Sequence, residues 1–207
     1  VQALAAVGLL AGAGAVVVGS SEVVAAWGDR VSGSAEFTAA DVAFESLVDG
    51  VEPWALHAED APAVVNRAAP AMLPGTSVFW PVTLRTTTDS PAVGITVVGA
   101  APQNALGSAL RYTVVRSATC TAAAVSGAPP SDVVVGSAAA GVPVATGSAE
   151  GVVLLPAGTP TATGTTVPLC FRLTLPDTTA VWTDPSLPGS STTVRWTLDG
   201  TAQPNGS

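Results

Sequence analysis

From Ser77 to Thr86 the chain alternates: Val78, Trp80, Val82 and Leu84 fall on one side of an extended backbone, and Phe79, Pro81, Thr83 and Arg85 on the other. A period of two lines one face of a strand and cannot line one face of a helix, whose period is about 3.6, so this stretch is a half-buried β-strand. Pro74-Gly75 supplies the turn before it. The rhythm returns at Leu169, Phe171, Leu173 and Leu175, set against Cys170, Arg172 and Thr174, and again at Val194, Trp196 and Leu198, set against Thr193, Arg195 and Thr197. Pro81 has no N–H to give to a ladder, which predicts an edge position or a bulge there. Shorter apolar runs at 35–38, 42–47, 93–98, 110–119, 132–135, 142–145 and 152–155 bring the count to about ten strands, with no amphipathic helix. The expected fold is all-β, a two-sheet β-sandwich of jelly-roll or Greek-key type. Two stretches, 49–73 and 121–141, are rich in Ala and Pro and read as loop-like excursions with room for a short helix.

Composition narrows the function. Seven basic against fifteen acidic groups leave a net charge of −8, which repels nucleic acid and anionic lipid. All seven basic residues are arginines, at 30, 67, 85, 111, 116, 172 and 195. Without a lysine there is no Schiff-base chemistry, no P-loop and no Lys–Asn isopeptide staple.

Residues 1–21 carry no charge and are mostly Ala, Val, Leu and Gly. As a helix they would reach roughly 30 Å, the hydrocarbon thickness of a bilayer. The small residues and the passage through Ser20-Ser21-Glu22 to Val24-Ala25-Ala26 favour a signal peptide over an anchor, because signal peptidase accepts small side chains at the first and third positions before the cut. The expected cut lies between Ala26 and Trp27, with 1–26 as a signal peptide lacking its basic n-region and 27–207 as one domain. Signal peptidase is then one partner, and membrane contact is confined to the uncleaved leader. A retained anchor helix is the alternative. A pilin-type helix fits less well, because Ala5 stands where such helices carry a glutamate. In an exported chain Cys120 and Cys170 have an oxidising environment, so one disulfide closing a loop of about fifty residues is expected, with two free thiols as the alternative.

Catalytic patterns are few. His57 sits near Glu59 and Asp60, with Asp49 and Glu52 upstream, a set that invites comparison with a calcium site or an acid–base pair. It has neither the HExxH spacing of a zinc peptidase nor the DxDxDG loop of a calcium site, and acids in a Pro-containing loop are usually just solvated. Gly147-Ser148-Ala149-Glu150-Gly151 has its serine one place early for a nucleophile elbow. Leu73-Pro74-Gly75-Thr76-Ser77 has the outline of a sortase signal but ends in Ser and precedes a strand, so it reads as a turn. No catalytic residue, metal ligand or cofactor is assigned. Of the five tryptophans, Trp80 and Trp196 share apolar strand faces, whereas Trp54 and Trp182 lie in loops where a flat ring can stack on a sugar.

Val24-Ala25-Ala26-Trp27-Gly28-Asp29, Val31-Ser32-Gly33, Phe37-Thr38-Ala39, Leu73-Pro74-Gly75-Thr76-Ser77, Leu169-Cys170-Phe171-Arg172-Leu173-Thr174-Leu175-Pro176 and Val194-Arg195-Trp196-Thr197 together give the chain an arrangement that resembles the TasA/camelysin-like family. Its members are secreted by Gram-positive bacteria and carry the alternate, SipW-dependent type of signal peptide. The resemblance implies a jelly-roll domain, a secreted or cell-surface location and, from filament-forming members, self-association into extracellular biofilm-matrix fibres. Growth there uses the mature amino-terminal strand, which here corresponds to Trp27, Val31 and Phe37 in the segment from Trp27 to Phe37. Some members are classed as metallopeptidases, an activity whose ligand spacing this sequence lacks. The expectation is a non-catalytic structural protein, with a carbohydrate-binding module or a secreted hydrolase as alternatives.

Overall fold

The computed structural model describes residues 42–58, 62–69 and 72–203. The leader, the Ala26/Trp27 cut, the segment with Trp27, Val31 and Phe37, the run 35–38, and Glu59 and Asp60 lie outside the described residues.

Eleven strands are described: β1 (Ala43–Val48), β2 (Ala55–Ala58), β3 (Ala63–Ala69), β4 (Ser77–Thr86), β5 (Val93–Val98), β6 (Arg111–Arg116), β7 (Val133–Val135), β8 (Val142–Pro143), β9 (Val153–Leu155), β10 (Val167–Thr174) and β11 (Thr192–Ala202). They form two antiparallel sheets. The larger runs β2-β1-β4-β10-β6-β7, with β8 also paired to β6, and the smaller runs β3-β11-β5-β9. The fold is an all-β sandwich, as the alternation predicts. Three one-turn helices, α1 (Ala105–Ala109), α2 (Ala122–Ser126) and α3 (Thr179–Thr183), sit between strands. Side chains of Asn104, Thr121 and Thr178 cap them by accepting N–H bonds from residues three positions on.

The core is the facing pair of inner surfaces. Trp80, Val82 and Leu84 of β4 meet Leu169, Phe171 and Leu173 of β10 and Val194, Trp196 and Leu198 of β11, all buried. Trp196 lies at its centre, with ring centroids 5.6 Å from Trp80, 5.1 Å from Tyr112 and 5.8 Å from Phe171. At about 25 cal/mol per Å² of apolar surface buried, such aromatic side chains make large individual contributions to stability.

Two sequence expectations need correction. Pro81 is not on an edge strand, since β4 lies between β1 and β10. It sits one residue past the β1–β4 register, where its carbonyl accepts from Asp49 N–H and the chain is already turning away, so its missing donor deprives no ladder. The stretch 49–73 is not all loop, because it contains β2 and β3. The inward face of β3 is Ala63, Val65, Arg67 and Ala69, and small alanines and a charge on that face conceal the alternation. Arg67 is tolerated there because it ion-pairs with Asp49 and its guanidinium carbon lies 5.3 Å from the Trp80 ring centroid. The other loop-like stretch, 121–141, holds α2, a 3-10 turn at Pro130–Asp132 and β7.

The turn before β4 forms as expected. Thr76 N–H bonds to Leu73 O at 3.0 Å, and Gly75 has φ +85°, a conformation in which a side chain is strained.

Candidate functional site

The large sheet ends in β2, a four-residue strand that pairs with β1 alone among the described residues. The chain enters it from Glu52-Pro53. Val51 and Leu56 are 66% and 65% exposed, and the outer row of backbone N–H and C=O groups has no strand neighbour among the described residues. Such an edge is a template for another strand. Beside it the Arg85 guanidinium lies 3.9 Å from the Trp54 ring centroid, and Arg85 Nε donates to Glu45 Oε2 at 2.6 Å. Trp54 is thereby half-buried under a cation, so one face of this ring is already occupied.

On the same hairpin His57 projects to the inner side. Its Nε2 and the Ser46 hydroxyl are 2.9 Å apart, and its ring lies 5.1 Å from Phe44. A serine bonded to an imidazole has the outline of a nucleophile and its base. Ser46, however, is 5% exposed, and neither residue lines any of the four principal clefts. Among the described residues no three of His, Cys, Asp and Glu are grouped closely enough to hold a metal ion.

A second feature lies at the end of the sandwich. A cleft of about 290 Å³ is floored by Leu106 and Leu175 and walled by Leu73, Trp182 and Leu187. Trp182 is 61% exposed. Its Nε1 donates to Asp177 Oδ1 at 2.6 Å, which fixes the ring on α3 while leaving most of it open. The Asp184 carboxyl on the rim is held below the usual aspartate range because it accepts from the Ser186 hydroxyl and backbone N–H. Sequence flagged Trp182, but the cleft is assembled from four separated segments and left no local signature.

The cysteines are joined, Cys120 to Cys170, with S–S 2.05 Å. Cys170 points away from the main core, as the alternation predicts, and the bond ties the α2 segment onto the outer face of the large sheet. There Val115, Val125 and Cys170 form a second buried cluster, flanked by Phe79 and Val133.

No helix among the described residues is long and apolar enough to cross a membrane. Comparison with protein-family models, curated proteins and solved structures finds no match to this chain.

Proposed function

We propose that this chain is an exported, non-catalytic structural protein of the TasA/camelysin-like kind, located outside the cell or at its surface, whose copies assemble by strand addition. In this reading the sandwich is a jelly roll. The chain changes sheets at every step from β2 to β6 and again from β8 to β11, which is the connectivity that long crossovers between layers produce.

The observation that carries the reading is the edge at β2, which has no outer neighbour among the described residues, with exposed Leu56 and Val51 beside it. The occupant is the segment from Trp27 to Phe37 of a second copy, released by cleavage after Ala26. Trp27, Val31 and Phe37 are separated by even numbers of residues, so in an extended strand they share one face. Backbone hydrogen bonds then supply affinity and the alternate side chains specificity.

The test is electron microscopy of concentrated protein beginning at Trp27, compared with protein beginning at Val42 and with Leu56→Pro in the longer chain. Fibres from the first alone are expected, with matching circular dichroism for all three. Monomers from the first under every condition overturn the assembly reading. Identification of Trp27 as the first residue of protein recovered from culture fluid tests the export step separately.

The exposed Trp182 ring beside its cleft favours one further reading, a carbohydrate-binding surface. It predicts glycan-array binding that Trp182→Ala abolishes and Trp54→Ala leaves unchanged, because Arg85 already covers Trp54. Absence of binding to any glycan removes it.

A further inference from the structure

We propose that the cleft between Arg111 and Arg172, on the outer face of the large sheet, binds an oxyanion: a carboxylate, sulfate or phosphate group on a ligand of about one sugar residue in size.

The placement follows from register. On β6 and β10, Arg172 pairs with Thr113 and Thr174 with Arg111, so the two arginines are diagonal neighbours on one face, with Cα atoms about 7–8 Å apart by ordinary sheet geometry. They border a cleft of about 340 Å³ whose lining contains no acidic residue. Among the described residues the ion pairs are Arg67–Asp49 and Arg85–Glu45, so neither cleft arginine has a carboxylate partner. The described acids Asp177 and Asp184 pair with neither arginine. Asp184, which shares the adjoining cleft with Arg111, accepts from Ser186 through Oδ1, and Asp177 accepts from Trp182.

Both guanidiniums are held in place and keep donors in reserve. Arg111 Nη1 donates to the carbonyls of Ser108, Ala109 and Leu110 at 3.0, 3.1 and 2.9 Å, which leaves Nε–H and Nη2 uncommitted. Arg172 Nη1 donates to Ala138 O at 3.2 Å and Nη2 to Thr113 Oγ1 at 2.8 Å, which leaves one N–H on each, while its Nε is buried without a partner. Ser77 and Thr174 share one hydrogen bond of 2.7 Å on the cleft wall, so one of the two hydroxyls still has a proton to donate.

This arrangement is costly as it stands. Like charges on adjacent strands repel, and burial pulls the Arg172 guanidinium below its usual range. The chain carries a net charge of −8, yet among the described residues no carboxylate lines this cleft. An oxyanion between the two forks relieves the repulsion and meets the spare donors with the bidentate geometry that guanidinium favours. The unfavourable field of distant acids is screened beyond about 8 Å at physiological salt.

The experiment is a ¹⁵N NMR titration of the folded protein with inorganic phosphate, sulfate, acetate and glucuronate, each at an ionic strength held constant with sodium chloride. Saturable shifts of the Arg111 and Arg172 Nε signals are expected, weakened about tenfold or more in Arg111→Gln and in Arg172→Gln and unchanged in Arg195→Gln, whose side chain is exposed on the other sheet. Saturation by phosphate and sulfate alone assigns a tetrahedral group, and by acetate and glucuronate alone a carboxylate. Arg172→Gln also removes bonds to Thr113 and Ala138, so Arg111→Gln carries the test if the former unfolds. Linear, unsaturable shifts, or equal affinity in wild type and Arg111→Gln, overturn the proposal.

Discussion

The two faces of the large sheet come from the same strands and are built on different principles. Its inner face is dominated by aromatic packing: Trp80, Tyr112 and Phe171 lie around Trp196 of the opposing sheet. Its outer face is divided. One patch, at Phe79, Val115 and Cys170, is roofed by the α2 segment, and the remainder carries Glu45, Arg85, Arg111 and Arg172 toward solvent. The inner face holds the molecule together and tolerates little change. The strand edge, the arginine cleft and the disulfide all belong to the outer face or border it.

The sharpest way to break this contrast is a truncation on each side. Trp196→Ala removes the residue that touches three other aromatic rings, and a loss of about 3–5 kcal/mol is expected. Thr83→Ala, on the outward face of β4, is expected to stay within about 0.5 kcal/mol of wild type. Urea unfolding midpoints at unchanged slope measure both, and similar losses from the two would mean that the faces are not energetically distinct.

The roofed patch is a smaller and more local test. Cys120 and Cys170 are 50 residues apart, and replacing both by alanine is expected to cost about 2–4 kcal/mol by releasing a loop of that length in the unfolded chain. Because the patch contains few side chains besides the disulfide, faster amide exchange is expected in 121–141, with β4 and β10 protected as before. Uniformly faster exchange across both sheets would show that the outer patch is part of the main core.

Much of the inner face was legible because its residues obey one rule. The bounds of β4 follow from Val78, Trp80, Val82 and Leu84, and β10 and β11 follow from the same alternation. Where the inward residues are not large and apolar the rule loses its signal. On β3 the inward set includes two alanines and Arg67, and the reason Arg67 can sit there lies in Asp49 and Trp80, far away in sequence. The outer face was less legible still. The direction of Cys170 was readable from parity, but the arginine cleft depends on the β6–β10 register, and the Trp182 cleft on four segments meeting. Each is a long-range pairing for which local sequence offers no pattern. The strand proposed for assembly was legible only through a family resemblance.

Tyr112 and Arg111 are neighbours on β6 that face opposite sides, so alkaline pH separates the faces within one dipeptide. Burial pushes the Tyr112 phenol well above its ordinary value of 10.0, and its hydroxyl donates to the Thr146 carbonyl. Above about pH 10 the unfolded chain loses this proton while the folded chain keeps it. The stability linked to Tyr112 is therefore whole below pH 10 and is lost as pH rises toward the folded value. Arg111 lies on the opposite face of the same strand and serves as the control. Tyr112→Phe is expected to cost about 1 kcal/mol at pH 8, by leaving the Thr146 carbonyl unpaired, and to flatten the fall in stability between pH 10 and pH 11.5. Arg111→Gln is expected to leave that fall as steep as in wild type. Denaturation midpoints at pH 8, 10 and 11.5 for the three proteins decide it. A wild-type slope retained by Tyr112→Phe would mean that the phenol is hydrated, and that the inner face is not sealed where the two sheets meet above β6.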